Sequence, residues 1–142
     1  MKPLLDPPPD LVAKPVRMWA LVIAAYIGAV HLALAEDRYD KDAHYVGALF
    51  IVGAMGLIVG AGLAAGGRRF GLPVVWGAWT MDVIIVVGMF VGFLLSRTVG
   101  LPSYHRHDWP VIQIIALAAE AAYVLLAAVA VAQARRPRPQ LR

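Results

Sequence analysis

The sequence predicts an all-α fold, an integral membrane bundle of four antiparallel helices. Hydrophobic residues make up 61% of the 142 residues and charged residues only 15%, whereas a soluble domain carries about a quarter charged residues. Mean hydropathy is +0.70. Four apolar runs, each near or above the roughly 20 residues that a helix needs to cross a bilayer, are joined by short polar segments. Continuous apolar runs favour helices over the alternating strands of a barrel.

The four apolar runs define the predicted spans, which lie at 18–35, 45–65, 72–99 and 110–132. The first run ends in Ala33-Leu34-Ala35, which resembles a signal-peptide cleavage site. The leader before it is long and contains Asp6 and Asp10, so we predict a true first span. The spans together form one predicted domain, residues 17–133.

Lysine and arginine predict the orientation of the bundle, because they collect in cytoplasmic segments. Three basic segments fall on one side: the Pro-rich leader 1–16, the GGRR loop at 66–69 and the tail 134–142. Segment 36–44, with four acids against two bases, and segment 96–109 fall on the other. We therefore predict a cell-membrane protein with both termini cytoplasmic. The same distribution explains the pI near 9.8 and argues against a nucleic-acid partner.

Few ionisable or strongly polar residues fall within the spans. Asp82 and Glu120 each lie about ten residues into a span, and Gln113 precedes Glu120 by two helical turns. A charged carboxyl at that depth costs several kcal/mol, so both acids are expected to be neutral or paired. They either hydrogen-bond between helices or relay protons or cations. Arg97 lies too far along its helix to pair with Asp82, and it is placed to reach the first loop or the side of the bundle that carries Glu120.

The four histidines are all predicted at the outer end of the bundle. His31 shares a helix face with small residues and is expected to point inward. Imidazole and carboxylate groups are ligands for copper or zinc, and the candidate metal ligands are His31, His44, His105, His107 and Asp108. Two alternatives remain: solvated loop histidines with Asp108 as a helix cap, or a haem held by His31 and His44.

Glycine and proline predict where helices pack and end. Gly56 and Gly60, like Gly88 and Gly92, form GxxxG motifs, which are typical of close helix packing in membranes. Gly100-Leu-Pro is a helix stop signal, and Asp108-Trp-Pro predicts the start of the fourth span.

Short pieces of the chain resemble a family of four-span bacterial membrane proteins of uncharacterised function. The pieces are His31, HYVGALF at 44–50, GFLLSRTVGLP at 92–102, and Glu120. The layout is also loosely similar to that of DoxX-like proteins. The resemblance implies a fold and a topology, and it implies neither an activity nor catalytic residues.

The sequence contains no catalytic constellation: no serine–histidine–acid set, no phosphate loop and, with no cysteine, no thiol chemistry. We therefore predict a non-enzymatic accessory or scaffold subunit that joins other membrane subunits or copies of itself, with an outer histidine and acid cluster that binds copper or zinc. One alternative is a small oligomeric transporter coupled to cations or protons through Glu120 and Asp82. Another is an electron-transfer subunit that binds haem or quinone near His31.

Overall fold

Four α-helices make up most of the part of the chain that the structure describes. The computed structural model describes residues 12–41 and 44–135, apart from the side chains of 37–41 and 68. In these residues the helices are α1 (Lys14–Lys41), α2 (His44–Gly66), α3 (Leu72–Arg97) and α4 (Val111–Arg135), and a 3₁₀ turn (Gly67–Phe70) joins α2 to α3. Each α-helix is long and apolar enough to cross a membrane.

The helices pack in the cyclic order of an up-and-down bundle. α1 and α3 each contact both α2 and α4, so the predicted all-α bundle is confirmed. We call the end that carries residues 98–110 the distal end and the opposite one the proximal end. At the proximal end the backbone N–H of Ala13 donates to the Gln133 side chain (2.9 Å). At the distal end the Tyr45 hydroxyl donates to the carbonyl of Pro102 (2.7 Å).

Helix α1 is longer than the apolar run that predicted it. The predicted span was 18–35, whereas the helix has 28 residues, Lys14–Lys41. The acidic segment expected to be a loop from residue 36 continues the helix for more than a turn. It contains neither glycine nor proline before Lys41, so nothing breaks the backbone hydrogen bonds. Hydropathy therefore marked the part of the helix suited to lipid and missed its polar extension.

Helix α3 ends at Arg97, two residues before the predicted limit. The N–H of Thr98 donates to the carbonyls of Leu94 and Leu95, and the N–H of Gly100 donates to Leu95 (2.8 Å). Gly100 has φ 82°, the left-handed conformation in which glycine closes a helix. The stop signal at Gly100 is confirmed, and the helix ends two residues earlier than predicted because Thr98 and Val99 already belong to the closing turn.

Helix α4 begins at Val111 rather than at Pro110. The carbonyl of Pro110 accepts the N–H groups of Gln113 and Ile114, so Pro110 occupies the position just before the first helical turn. Asp108 precedes Pro110 by two residues, and its carboxylate is 3.9 Å from the Arg106 guanidinium. Asp108 is therefore part of the connection between α3 and α4.

The proximal half of the bundle is closely packed. Its core is built largely from alanines that let the helices approach, together with the fully buried Ile27, Leu57 and Tyr123. The distal half holds only a small cluster, in which Val46 and Tyr104 are buried with Phe50 and Leu101 beside them. The interior there is not filled by side chains.

The outer surface of the bundle is strongly apolar. Large hydrophobic side chains are exposed along all four helices; Val52 and Leu125, for example, are 69% and 68% exposed. A water-soluble protein rarely exposes such a continuous apolar surface. This surface matches the hydrocarbon of a bilayer.

Candidate functional site

A cavity of about 380 Å³ occupies the distal half of the bundle. All four helices contribute to its wall, together with Leu101 and Tyr104 from the connection between α3 and α4. Val52 and Ile84, on the α2 and α3 sides, are also 69% and 62% exposed on the outside of the bundle. The cavity therefore reaches the apolar outer surface between α2 and α3.

The GxxxG motif of α3 borders this cavity. A Cβ atom added to Gly88 or to Gly92 would meet nothing within 4 Å, and both glycines line the cavity. The prediction that they pack closely against another helix is wrong. The spacing was right for a small-residue face, but the neighbouring helix α2 does not approach it closely at this level. The effect of the two glycines is to leave space.

The GxxxG motif of α2 does pack closely. A Cβ on Gly56 would lie 2.8 Å from the Ile85 side chain, and one on Gly60 would collide with the Asp82 carboxyl. Here the prediction is confirmed, because α3 rests directly on the α2 backbone.

The wall of the cavity is mostly apolar, but it includes several buried polar side chains. His31 on α1, Arg97 on α3, and Gln113 and Glu120 on α4 all line it, and each is between 3% and 9% exposed. The sequence predicts His31 as a metal ligand and the other three as polar residues within spans. The bundle brings all four to the wall of one cavity.

His31 faces Glu120 across this wall. Its Nδ1 atom is 2.9 Å from the Ile27 carbonyl, and a carbonyl can only accept, so Nδ1 carries a proton. Its Nε2 atom lies 3.7 Å from Glu120 Oε1, beyond ordinary hydrogen-bond length. The other carboxyl oxygen, Oε2, is buried and has no hydrogen-bond partner among the described residues. The inward orientation predicted for His31 is confirmed, and its partner is Glu120 rather than another histidine.

Arg97 closes the distal end of the cavity. Its guanidinium donates to the Ser96 hydroxyl (2.7 Å), to the Gln113 side-chain oxygen and to the Asp108 carbonyl (3.1 Å). The charge also lies over the Phe93 ring, 3.8 Å from its centroid. Arg97 thus joins the end of α3 to the start of α4. Of the two positions that the sequence left open, its contacts with Gln113 and Asp108 are on the Glu120 side of the bundle; the side chains of 37–41 lie outside those that the structure describes.

The connection between α3 and α4 folds over this end. Leu101 and Tyr104 exchange two backbone hydrogen bonds (2.7 and 2.9 Å), and Ser103 between them has φ 56°. The Arg106 N–H donates to the Ser96 carbonyl (2.9 Å). Tyr104 is 6% exposed, so the tight turn places an aromatic ring against the cavity.

The other three histidines are absent from the cavity wall. His44 begins α2 and is exposed, as are His105 and His107, whose rings are 4.5 Å apart between centroids. Within residues 12–36 and 44–135, Arg68 aside, no group of three or more His, Cys, Asp or Glu side chains is placed to hold a metal ion. The copper or zinc site stays a prediction. Of its predicted histidine ligands, His105 and His107 are the two whose rings lie next to each other. Segment 36–44 supplies further acids to the predicted outer cluster, and three of them, Asp37, Asp40 and Asp42, lie outside the described side chains.

Asp82 belongs to a different environment from Glu120. It is fully buried, and its Oδ2 atom accepts a hydrogen bond from the Tyr123 hydroxyl (2.6 Å). Its Oδ1 atom points at the α2 backbone beside Gly60. Asp82 is absent from the cavity wall. The sequence left two roles open for Asp82, a hydrogen bond between helices or a relay of protons or cations. This arrangement favours the hydrogen bond between helices.

Three residues that contact these polar side chains were not predicted from the sequence. Tyr123 donates to Asp82, Ser96 accepts from Arg97, and Phe50 packs on His31. Tyr123 lies three residues after Glu120, a spacing that places both on one helix face and could have drawn attention to it. Phe50 packs against the His31 ring with centroids 4.8 Å apart. An aromatic residue within an apolar run carries no local signal of that contact, because the partner is on another helix.

Comparisons with models of protein families, with curated proteins and with solved structures found no match to this chain. The resemblance to short four-span bacterial proteins therefore stays a prediction, and the function has to be argued from the site itself.

Proposed function

We propose that the protein spans a membrane and binds a small amphipathic molecule that enters from the lipid between α2 and α3. The tail of the ligand would occupy the apolar part of the cavity, and its polar head would meet His31 and Glu120. The observation that carries this proposal is the cavity itself, which combines an apolar wall open to the bundle surface with a buried polar end. Ligand sites are typically of this kind, largely apolar with a few converging polar groups.

Glu120 supports a ligand at the polar end. Its Oε2 atom is buried without a hydrogen-bond partner among the described residues. Leaving such a group unpaired costs about 1–3 kcal/mol, and the cost is larger in hydrocarbon than beside water. A ligand hydroxyl or carbonyl at this position would remove that cost.

The membrane orientation is part of the proposal, with both termini cytoplasmic and the distal end outside. The absence of cysteine allows a direct test with single-cysteine variants. Ser103→Cys lies at the distal end and Arg69→Cys at the proximal end, and both positions are exposed. In intact cells a membrane-impermeant maleimide should label Ser103→Cys at once and Arg69→Cys only after lysis. The reverse pattern would invert the assignment.

Ligand binding is tested with a matched pair of glycine variants on α3. Gly92 lines the cavity, whereas Gly77 does not, and a Cβ at either position meets nothing within 4 Å. We expect dodecanol to bind saturably to the wild-type protein in lipid nanodiscs, as measured by native mass spectrometry. Gly92→Phe should reduce this binding at least about tenfold, because the ring fills the cavity, while Gly77→Phe should leave it unchanged. Equal binding to both variants, or no saturable binding to the wild type, would contradict the proposal.

Transport and the accessory-subunit role stay predictions. Transport coupled to Glu120 would require proton or cation flux in proteoliposomes that Glu120→Gln abolishes. An accessory role would require partner chains that co-purify from native membranes.

A further inference from the structure

We propose that the polar head is a hydroxyl group on an aromatic ring, a phenol or a hydroquinone, held between His31 and Glu120. This inference rests on the proposed function and specifies its ligand class. It is carried by the hydrogen-bonding directions of the two side chains and by the aromatic residues that line the same cavity.

His31 presents an acceptor to the cavity. Because Nδ1 donates to the Ile27 carbonyl (2.9 Å), the neutral imidazole has its lone pair on Nε2. This atom is on the side that faces Glu120. A ligand that donates a proton in a hydrogen bond is therefore complementary to His31.

Glu120 presents a donor. It lies in the middle of an apolar helix and is 3% exposed, an environment that favours the neutral carboxylic acid. A neutral carboxylic acid has one O–H to give. At 3.7 Å the two side chains are too far apart for a good hydrogen bond with each other. A single ligand hydroxyl can serve both, since it donates to Nε2 and accepts from the carboxylic acid.

The surroundings favour an aromatic carrier for that hydroxyl. Phe50, Phe93 and Tyr104 line the same cavity, and the Phe50 ring already packs on the His31 imidazole with centroids 4.8 Å apart. Aromatic rings prefer aromatic neighbours in stacked or edge-on contact. A carboxylate head between His31 and Glu120 is disfavoured, because it would lie beside the Glu120 carboxyl. The guanidinium of Arg97, which also lines the cavity, already donates to Ser96, Gln113 and the Asp108 carbonyl.

The test compares two ligands of nearly equal shape, 4-decylphenol and its methyl ether 4-decylanisole. Both are offered to the protein in nanodiscs, and binding is measured by native mass spectrometry with empty nanodiscs as the reference. We expect the wild type to bind the phenol about tenfold or more tightly than the ether, because the ether leaves the buried Nε2 acceptor unpaired. A ratio near one would overturn the inference. If the ether still binds saturably, the proposed function survives. If dodecanol, the phenol and the ether all fail to bind saturably, the proposed function and this inference are both contradicted.

Three variants assign the discrimination to the two side chains. His31→Phe keeps a ring against Phe50 but has no acceptor, so the phenol-to-ether ratio should fall to about one. Glu120→Leu should lower the ratio, and Glu120→Gln should restore most of it, because the amide N–H can still donate. Circular dichroism and monodisperse elution check that each variant folds. If His31→Phe does not fold, the inference is judged from the phenol-to-ether ratio of the wild type and from the two Glu120 variants. A tenfold ratio that persists in folded His31→Phe would contradict the assignment.

Discussion

The carboxyl of Asp82 accepts a hydrogen bond of 2.6 Å from the hydroxyl of Tyr123, which ties the middle of α3 to the middle of α4. The same carboxyl rests against the α2 backbone at Gly60. Three helices therefore meet at one acidic group that is fully buried. Directly distal to this junction the interior opens into the cavity, so the Asp82 junction separates a packed half from a hollow half.

Removal of the Tyr123 hydroxyl should destabilise the bundle. Tyr123→Phe leaves the Asp82 carboxyl buried with neither oxygen paired, and we expect a loss of about 1–2 kcal/mol in the free energy of unfolding. The measurement is unfolding in mixed micelles, titrated with denaturing detergent and followed by circular dichroism. Tyr26→Phe is the control, since Tyr26 is 37% exposed, and it should change stability by less than about 0.5 kcal/mol. Similar values for the two variants would remove the role assigned to this hydrogen bond.

The close contact at Gly60 predicts a strong difference between two glycines on the same helix. In Gly60→Ala the added methyl group collides with the Asp82 carboxyl, which Tyr123 holds in place, and the expected cost is about 1–3 kcal/mol. Gly62→Ala meets nothing within 4 Å and should be neutral or stabilising by up to about 1 kcal/mol. The double variant Gly60→Ala with Asp82→Ala should cost less than the sum of the single changes. Additive costs would show that the clash lies elsewhere.

The left-handed backbone at Gly100 predicts a local cost for any side chain there. Gly100 has φ 82°, and an added Cβ would lie 3.3 Å from the His105 ring. Gly100→Ala should therefore lower the free energy of unfolding by about 1–2 kcal/mol, in the same detergent titration. His105→Ala removes the ring contact but leaves the backbone strain, so it should rescue only part of the loss. Full rescue would show that φ is not the cause.

The planar guanidinium of Arg97 predicts that lysine cannot replace it. It contacts three acceptors and the Phe93 ring at once, and a lysine ammonium lacks that fork. Arg97→Lys should release the connection between α3 and α4, seen as faster hydrogen exchange at the amides of Leu101, Tyr104 and Arg106 by about tenfold. The exposed Arg69 offers the matched control, and Arg69→Lys should leave those amides unchanged. If exchange is also unchanged in Arg97→Lys, Arg97 does not hold the connection.

Several features of the fold and site followed from local sequence. Four apolar runs predicted the four helices, Gly100 predicted the end of α3, and the small residues beside His31 predicted its inward orientation. Each depends on a property of one helix, either its length and hydropathy or the face on which a residue falls. The errors also have local causes. The polar extension of α1 to Lys41 carries no hydropathy signal, and a small-residue motif such as Gly88-Gly92 does not say whether a neighbour approaches.

The pairing of the polar side chains required the tertiary structure. From the sequence, Asp82 and Glu120 look like equivalent acids at the same depth, and His31 looks like one of four histidines at the outer end. Packing places Asp82 against Tyr123 and Gly60, and Glu120 opposite His31 on the wall of a cavity. Helical periodicity fixes which face a residue occupies, but the rotation and spacing of neighbouring helices decide which faces meet. The sequence by itself thus determined four helices suited to a membrane and the positions of the polar residues along them. Only the packing decided that one acid, Asp82, joins helices through a hydrogen bond while the other, Glu120, borders a cavity.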